Sequence, residues 1–306
     1  MTTAAPMSAE NRAKFACAYA GAVWGVFWLP LRALNEAGIA GAWATAVFYI
    51  IPLIIILPIV FMRWRKLLSG GWRLHLIGMV SALSLVLYSD ALIYTEVIRG
   101  MLLYYMTPVW STLLARIWLK EPITAARIVS IILGFSGMLV IFGIDLGVPW
   151  PRNVGDWMGL GAGLVWAVAA VLMRKDNEAV AMDYSLVYFI WGSVAAVVIA
   201  LMSFSGGHSA PSLDAVASTL PWLIPILLVV IIPSAFAVFW GTPLLNPGIV
   251  GILFMTEISV GTITAAIWAG EPFGLREISG VVLISMAGLT EVIVAPLLRR
   301  RLLDRA

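Results

Sequence analysis

Residues 106–122 read MTPVWSTLLARIWLKEP, and residues 255–272 read MTEISVGTITAAIWAGEP. In each copy an apolar run ends in Glu-Pro, and the copies are offset by 149 residues at the methionines and by 150 at the tryptophans. An earlier pair also recurs, at an offset of 142 residues: residues 21–24 read GAVW and residues 163–166 read GLVW. Recurrence over such a length predicts an internally duplicated chain, with one repeat in residues 1–150 and the other in residues 151–306.

Composition indicates the solvent in which the chain folds. Of the 306 residues, 62% are hydrophobic and 11% are charged, whereas soluble domains are about half apolar and about a quarter charged. The sequence therefore predicts an all-α integral membrane protein. The only cysteine is Cys17, so no intrachain disulfide is possible.

Apolar runs of about 20 residues are long enough to cross the roughly 30 Å of bilayer hydrocarbon. We predict ten such helices, at residues 14–34, 41–62, 73–93, 98–118, 124–143, 155–174, 183–204, 218–241, 247–268 and 274–297. Five helices per repeat is an odd number, so the second repeat enters the membrane inverted relative to the first. The predicted architecture is one integral membrane domain of two inverted five-helix repeats.

Basic residues predict the orientation of these helices. Of the 19 Lys and Arg residues, only Arg32, Arg99, Arg152 and Arg276 fall at the ends opposite the N-terminus. By the positive-inside rule, both termini are expected in the cytoplasm. The basic residues are thus orientation signals, and no nucleic acid partner is expected.

Two tryptophans lie far from the predicted membrane edges. A rise of about 1.5 Å per residue places Trp24 and Trp166 near the bilayer midplane, whereas interfacial tryptophans lie at the edges. One interpretation is that both indoles pack in the helix core. The other is that they form two aromatic walls for a planar substrate, an organic cation included.

Polar residues of the third and fourth helices are further candidates. Ser84 and Tyr88 share one helix face, and Tyr105 precedes Pro108. Hydroxyls in lipid commonly bond the backbone or a neighbouring helix, and the alternative is contact with a substrate. Pro108 removes a backbone hydrogen bond, so we expect a bend or loosening there and treat Pro108 as a candidate hinge.

One acidic residue falls in the middle of a predicted span. A charge at that depth costs about 2.5–3.5 kcal/mol, so Glu257 is expected to face the interior. It either contacts a substrate amino group or carries a coupling proton, or it is a neutral acid bonded between helices. Asp90 and Glu291 lie nearer the predicted ends, where we expect water to hydrate them.

Residues 94–110 read YTEVIRGMLLYYMTPVW. Together with the paired tryptophans and the Glu-Pro turns, this segment resembles the EamA-like drug/metabolite transporter superfamily, and within it the YddG-type exporters. The resemblance covers nearly the whole chain and implies export of aromatic amino acids, and of some aromatic cations, from a bacterial cytoplasm. The second repeat departs from the first, because Glu257 stands where the first has Pro108.

Other functions fit the sequence less well. Residues 134–137 read GFSG, like the nucleophile segment of an intramembrane serine protease, but the only histidines, His75 and His208, lie at or beyond predicted helix ends. We therefore expect no enzyme, and without a P-loop or a metal-type cluster we expect no cofactor and no metal. A carrier of another small metabolite or drug cation remains an alternative, as does a membrane scaffold that transports nothing.

The expected partners follow from this interpretation. They are a small-molecule substrate, an aromatic amino acid by resemblance, and the lipid bilayer of the bacterial inner membrane. The sequence leaves the oligomeric state open, a monomer included.

Overall fold

The computed structural model describes residues 8–95, 97–142, 150–176, 179–202, 209–268, 270, 273–295 and 297. Within these ranges all regular structure is helical, and no strand occurs. The second Glu-Pro turn, at residues 271–272, lies outside the described residues.

Fourteen α-helices are described, and we number them in chain order. They are α1 (Ala9–Trp24), α2 (Trp28–Glu36), α3 (Ala42–Ser69), α4 (Gly71–Tyr94), α5 (Val97–Tyr104), α6 (Thr107–Trp118), α7 (Ala125–Phe142), α8 (Val154–Lys175), α9 (Ala181–Leu201), α10 (Leu213–Ile226), α11 (Ile232–Gly241), α12 (Pro247–Phe254), α13 (Thr256–Trp268) and α14 (Leu275–Leu289). π-Helical turns follow α10, at Leu227–Ile231, and α14, at Thr290–Val294.

Eight helical segments of the described chain are long and apolar enough to cross a membrane. They are Ala9–Glu36, Ala42–Ser69, Gly71–Leu92, Val154–Lys175, Ala181–Leu201, Leu213–Leu244, Pro247–Trp268 and Leu275–Val294. A shorter apolar helix covers Ala125–Ile141. The predicted span at 98–118 is divided into α5 and α6. The prediction of an all-helical, multi-pass membrane protein is thus confirmed.

Two of the helical segments are interrupted at matching positions of the sequence repeat. α5 ends before Met106 and α12 ends before Met255, and a new helix begins at the next residue in both cases. The Met106 amide donates to the Leu103 carbonyl at 3.3 Å, and the Met255 amide donates to the Ile252 carbonyl at 3.1 Å. The residue three positions further on donates back to each methionine carbonyl at 3.0 Å. Both interruptions are therefore single tight turns of the i to i+3 type.

Glycines bring the first helix of each half against the opposite interruption. A Cβ on Gly163, in α8, would lie 2.5 Å from the Tyr104 carbonyl oxygen and 2.9 Å from the Thr107 hydroxyl. A Cβ on Gly21, in α1, would lie 3.1 Å from the Phe254 backbone and would overlap the Thr256 hydroxyl. Small residues allow this close approach of helices in lipid.

Two acidic residues are deeper than the sequence predicts. Asp90 is fully buried and accepts a hydrogen bond from the Thr45 hydroxyl at 3.1 Å. Glu291 is buried and forms an ion pair with Arg127. The expectation that water hydrates both carboxyls is wrong, because neighbouring helices supply protein partners that helix position alone does not reveal.

Candidate functional site

Aromatic side chains from both halves of the chain surround a cavity inside the helix bundle. Its free volume is about 50 Å³, and nine of its fifteen lining residues are aromatic. The aromatic residues are Trp24, Phe27, Phe48, Tyr49, Tyr88, Trp166, Tyr188, Phe189 and Phe239. This volume holds a few water molecules, so a larger solute requires the surrounding helices to move apart.

Trp24 and Trp166 both line the cavity, contact each other and share a neighbour. Their ring centroids are 6.4 Å apart with an interplanar angle of 81°, an edge-to-face arrangement. Phe254 packs against both, at 5.2 Å from Trp24 and 5.5 Å from Trp166. Phe254 was missed by sequence reasoning, although the repeat aligns it with Tyr105, which is a usable signal. Aromatic rings stabilise each other in such tilted contacts.

Among the described lining residues, the carboxyl belongs to Glu257, in the first turn of α13. The Tyr88 hydroxyl donates to Glu257 Oε1 at 2.9 Å, and the Tyr105 hydroxyl donates to Oε2 at 2.5 Å. Tyr104 packs between the two phenols, stacked on Tyr88 at 4.1 Å and edge-on to Tyr105 at 5.2 Å. The three tyrosines thereby fix the carboxyl in position.

The chemistry of this carboxyl follows from what surrounds it. Glu257 is only 5% exposed, and among the described residues no Lys, Arg or His forms an ion pair with it. A carboxylate without a cation is costly at this depth in a membrane. The site can therefore hold a proton or a positively charged group of a ligand, with the two phenols as hydrogen-bond partners of the carboxyl.

A second hydrogen-bonded pair of tyrosines also lines the cavity. The hydroxyls of Tyr49 and Tyr188 are 2.7 Å apart, and the Tyr188 ring packs on Phe239 at 5.1 Å. Sequence reasoning missed this pair because a tyrosine inside an apolar run looks the same whether it packs or lines a cavity. No sequence signal singled out these two residues.

The structure brings together most of the site residues that the sequence singled out. Trp24, Tyr88, Trp166 and Glu257 line one cavity. Tyr105 is not among the described lining residues but donates a hydrogen bond to Glu257. Ser84 is buried and donates to the Ala162 carbonyl at 2.8 Å, and it is not among the lining residues. The four lining residues that the sequence singled out come from α1, α4, α8 and α13.

Pro108, the candidate hinge, lies in the first turn of α6, directly after the interruption at Met106. Gly251 of α12 packs against it, with a distance of 3.0 Å from a Cβ built on Gly251 to the Pro108 Cα. A proline is favourable in the first turn of a helix, because the amide that it lacks has no intrahelical partner there.

Eight apolar helical segments of the described chain that are long enough to cross a membrane, together with the transporter family that the chain matches, define the class of the protein: it is a multi-pass membrane transporter and not an enzyme. Residues 12–143 match the EamA-like transporter family. This match confirms the resemblance to the drug/metabolite transporter superfamily.

Similar proteins agree with this class. Over 294 residues the chain is 24% identical to "Uncharacterized transporter YvbV" of Bacillus subtilis (strain 168), and the alignment covers 90% of each chain. It is 24% identical over 162 residues to a "Riboflavin transporter" of Vibrio cholerae serotype O1, covering 51% of this chain and 52% of that protein. A third relative, "Uncharacterized transporter in sor 3'region" of Acidianus ambivalens, is 25% identical over 57% of its own length. The chain thus spans little more than half the length of the last two relatives.

A solved crystal structure has the same fold. It superposes with a TM-score of 0.71 at 18% sequence identity, and the superposition covers 95% of this chain and 98% of that chain.

Proposed function

We propose that the chain is a secondary transporter that exports aromatic amino acids, and related aromatic amines or cations, across the bacterial cytoplasmic membrane by alternating access. Its architecture in this proposal is ten membrane-spanning helices in two inverted repeats, residues 1–150 and 151–306, with both termini in the cytoplasm. The observation that carries the proposal is Glu257, held by two tyrosine hydroxyls at the edge of a cavity that Trp24 and Trp166 line.

Packing supports the inverted repeat. In an inverted repeat, α3, α6 and α7 of the first half correspond to α9, α12 and α14 of the second. Each of these helices contacts its counterpart: α3 contacts α9, α6 contacts α12 and α7 contacts α14. A two-fold exchange of the halves therefore maps each helix onto its own neighbour. The contact of α4 with α8 likewise maps onto the contact of α11 with α1. Such symmetry places a substrate site where the repeats meet, near the midplane.

The acidic side of the site favours a substrate with an amino group. A substrate ammonium beside Glu257 replaces the proton that otherwise neutralises the buried carboxyl. In this mechanism the carboxyl takes either the proton or the ammonium, and the two exchange on opposite sides of the membrane. Aromatic walls add cation–π attraction for the same group and stacking for an aromatic side chain.

A donor for a substrate carboxylate is also present. The indole nitrogen of Trp166 is buried and has no hydrogen-bond partner among the described residues. A buried donor without a partner costs about 1–3 kcal/mol, and this cost is relieved if a ligand accepts the hydrogen bond. An amino acid would then place its ammonium at Glu257 and its carboxylate at the Trp166 N–H group.

Access to the site requires the helices around the cavity to separate. The interruptions at Met106 and Met255 are the natural flexing points, because their backbone turns are not part of a continuous helix. Pro108 lies in the first turn of α6 directly after the first of them, and the hinge that we propose is at this junction, with Pro108 on its α6 side.

The test is flux into proteoliposomes containing the purified transporter, with and without a pH gradient. Phenylalanine, phenethylamine, an aromatic dication and riboflavin are compared, and we expect saturable flux of phenylalanine and phenethylamine. Trp166→Phe, which keeps a ring and removes the N–H group, should lower phenylalanine flux about 5-fold or more and leave phenethylamine flux unchanged.

Two results would redirect the proposal. Flux of the dication and phenethylamine alone favours a cation exporter, a candidate supported by the absence of Lys and Arg among the described cavity-lining residues. Riboflavin flux that is insensitive to Glu257→Gln would contradict a role for the carboxyl and favour a vitamin substrate.

A further inference from the structure

A polar cluster joins the two halves of the chain at the end of the bundle that carries the first Glu-Pro turn. It consists of Glu121, Arg127, Arg174, Asn246 and Glu291. Arg127 forms an ion pair with Glu291 and donates from Nη1 to the Asn246 side-chain oxygen at 2.5 Å. The Asn246 amide nitrogen donates to Glu121, whose other oxygen lies 3.5 Å from the Arg174 Nε.

The members of this cluster come from five separate segments. Glu121 follows α6, Arg127 is in α7, Arg174 ends α8, Asn246 caps α12, and Glu291 is in the π-turn after α14. Segments of both halves of the chain are thereby connected at this end of the bundle. Arg174 extends the network by donating to the Pro243 carbonyl at 2.9 Å.

The centre of the cluster is buried and its edge is wet. The side chains of Arg127 and Glu291 are 7% and 2% exposed, whereas those of Arg174 and Glu121 are 36% and 25% exposed. Buried ion pairs depend on complete hydrogen bonding, because removal of one partner leaves an uncompensated charge. Water can replace the protein partners at the edge, so the cluster can come apart from the outside inward.

The repeat provides a comparison at the opposite end of the bundle. Arg276 corresponds to Arg127 at the offset of 149 residues, and Arg32 corresponds to Arg174 at the offset of the GAVW and GLVW segments. Arg276 is exposed and donates from Nε to the Val140 carbonyl at 2.8 Å. The Arg32 side chain is 62% exposed and pairs with Glu36 of its own helix at 3.3 Å. Neither of these contacts rebuilds the cluster at that end.

We propose that the cluster of Glu121, Arg127, Arg174, Asn246 and Glu291 is a gate that holds its end of the transporter closed. In the opposite state the gate opens and Arg276 and Arg32 take part in closing the other end. This inference rests on the proposed alternating access, in which inverted repeats exchange conformations. In one state of such a gate, the arginines at the closed end pair within the cluster and their repeat-related arginines at the other end do not.

The test measures access to the gate by thiol labelling and requires no substrate. Thr112 of α6 is 5% exposed beside the cluster, since a Cβ on Gly248 would contact both the Thr112 hydroxyl and Arg127. In a Cys17→Ala background, Thr112→Cys is labelled in detergent with a membrane-impermeant maleimide. Arg127→Gln should raise the labelling rate about 10-fold or more, because opening becomes that much more favourable. Glu121→Gln should raise it less.

Arg276→Gln is the matched control, because it removes the repeat-related arginine at the other end. Labelling of Thr112→Cys should be unchanged or slower in that variant. Unchanged labelling in both Arg127→Gln and Glu121→Gln would overturn the gate, and so would equal acceleration by Arg276→Gln. If Arg127→Gln fails to elute as a folded protein, Glu121→Gln decides alone, since its side chain is partly exposed.

Labelling and flux separate this inference from the proposed function. Faster labelling in the gate variants of a protein that moves none of the tested solutes would keep the gate and reject the proposed substrates. Saturable phenylalanine flux, together with a labelling rate that the gate substitutions leave unchanged, would reject the gate alone.

Discussion

The two interrupted helical segments have the same backbone and different chemistry. The turn at Met106 is followed by Thr107 and Pro108, and the turn at Met255 is followed by Thr256 and Glu257. Both are single turns with matching i to i+3 hydrogen bonds. Since the second turn forms without a proline, proline is not what breaks the helix.

What both interruptions share is a threonine and a glycine opposite. The Thr107 hydroxyl donates to the Tyr104 carbonyl at 2.5 Å, and the Thr256 hydroxyl donates to the Leu253 carbonyl at 2.8 Å. Backbone groups freed inside a membrane need such partners. The repeat thus encodes the break twice, and the following residue is free to differ. In the second half this freedom places a carboxyl at the cavity, which the first half cannot supply.

The largest expected effect distinguishes the two tryptophans. Trp166 is 1% exposed and Trp24 is partly exposed, so Trp166→Ala should leave the larger void. We expect a loss of about 3 kcal/mol in the free energy of unfolding for Trp166→Ala and a smaller loss for Trp24→Ala. Thermal unfolding in detergent measures both. Equal losses would show that the repeat mates have the same structural weight.

The next effect tests the residue that differs between the two turns, Glu257 in the second and Pro108 in the first. Glu257→Gln keeps the shape and one acceptor oxygen for a tyrosine hydroxyl, but it replaces the other oxygen with an NH2 donor and removes the negative charge. Binding of a substrate ammonium therefore loses its ionic partner. We expect a fall of about 100-fold in phenethylamine flux, equivalent to about 2.7 kcal/mol, together with loss of the response to a pH gradient. Wild-type flux in Glu257→Gln would remove this residue from the mechanism.

The close approach of α8 to the first interruption gives a third, smaller effect. Gly163→Ala places a methyl group against the Tyr104 carbonyl, which should cost about 1–3 kcal/mol of stability. Gly161→Ala is the matched control in the same helix, because a Cβ there meets nothing within 4 Å. The melting temperature should fall for Gly163→Ala only. Alanine has a higher helix propensity than glycine, so a fall of the same size in both variants would mean that the contact with the Tyr104 carbonyl is not the cause.

The all-helical, multi-pass membrane fold could be predicted from the composition and from the length of the apolar runs. The doubled Met-Thr and Glu-Pro segments predict the inverted repeat, and depth along the predicted spans singled out Trp24, Trp166 and Glu257, which line one cavity. These signals are local and depend only on helix periodicity and bilayer thickness. Which side chains pair between distant helices is not a local property, and for this reason the ion pair of Arg127 with Glu291 was missed.

The hydrogen-bond partners of the buried hydroxyls could not be predicted for the same reason. Tyr188 and Ser84 carry equivalent groups, yet one belongs to a cavity-lining pair and the other bonds the Ala162 carbonyl. Which of these occurs depends on the helix that lies opposite. A single sequence records spacing within a helix but not which helices become neighbours.

Pro108→Ala should have the smallest effect of the series. The Met255 turn forms without a proline, and a proline in a first helical turn removes no intrahelical hydrogen bond. We expect the free energy of unfolding to change by less than about 1 kcal/mol and flux to stay within about 5-fold of wild type. A much larger loss of flux with unchanged stability would show that the proline itself, and not the shared turn, sets the hinge. In that case the two halves would flex by different means, and the second half would depend on Glu257 for movement as well as for binding.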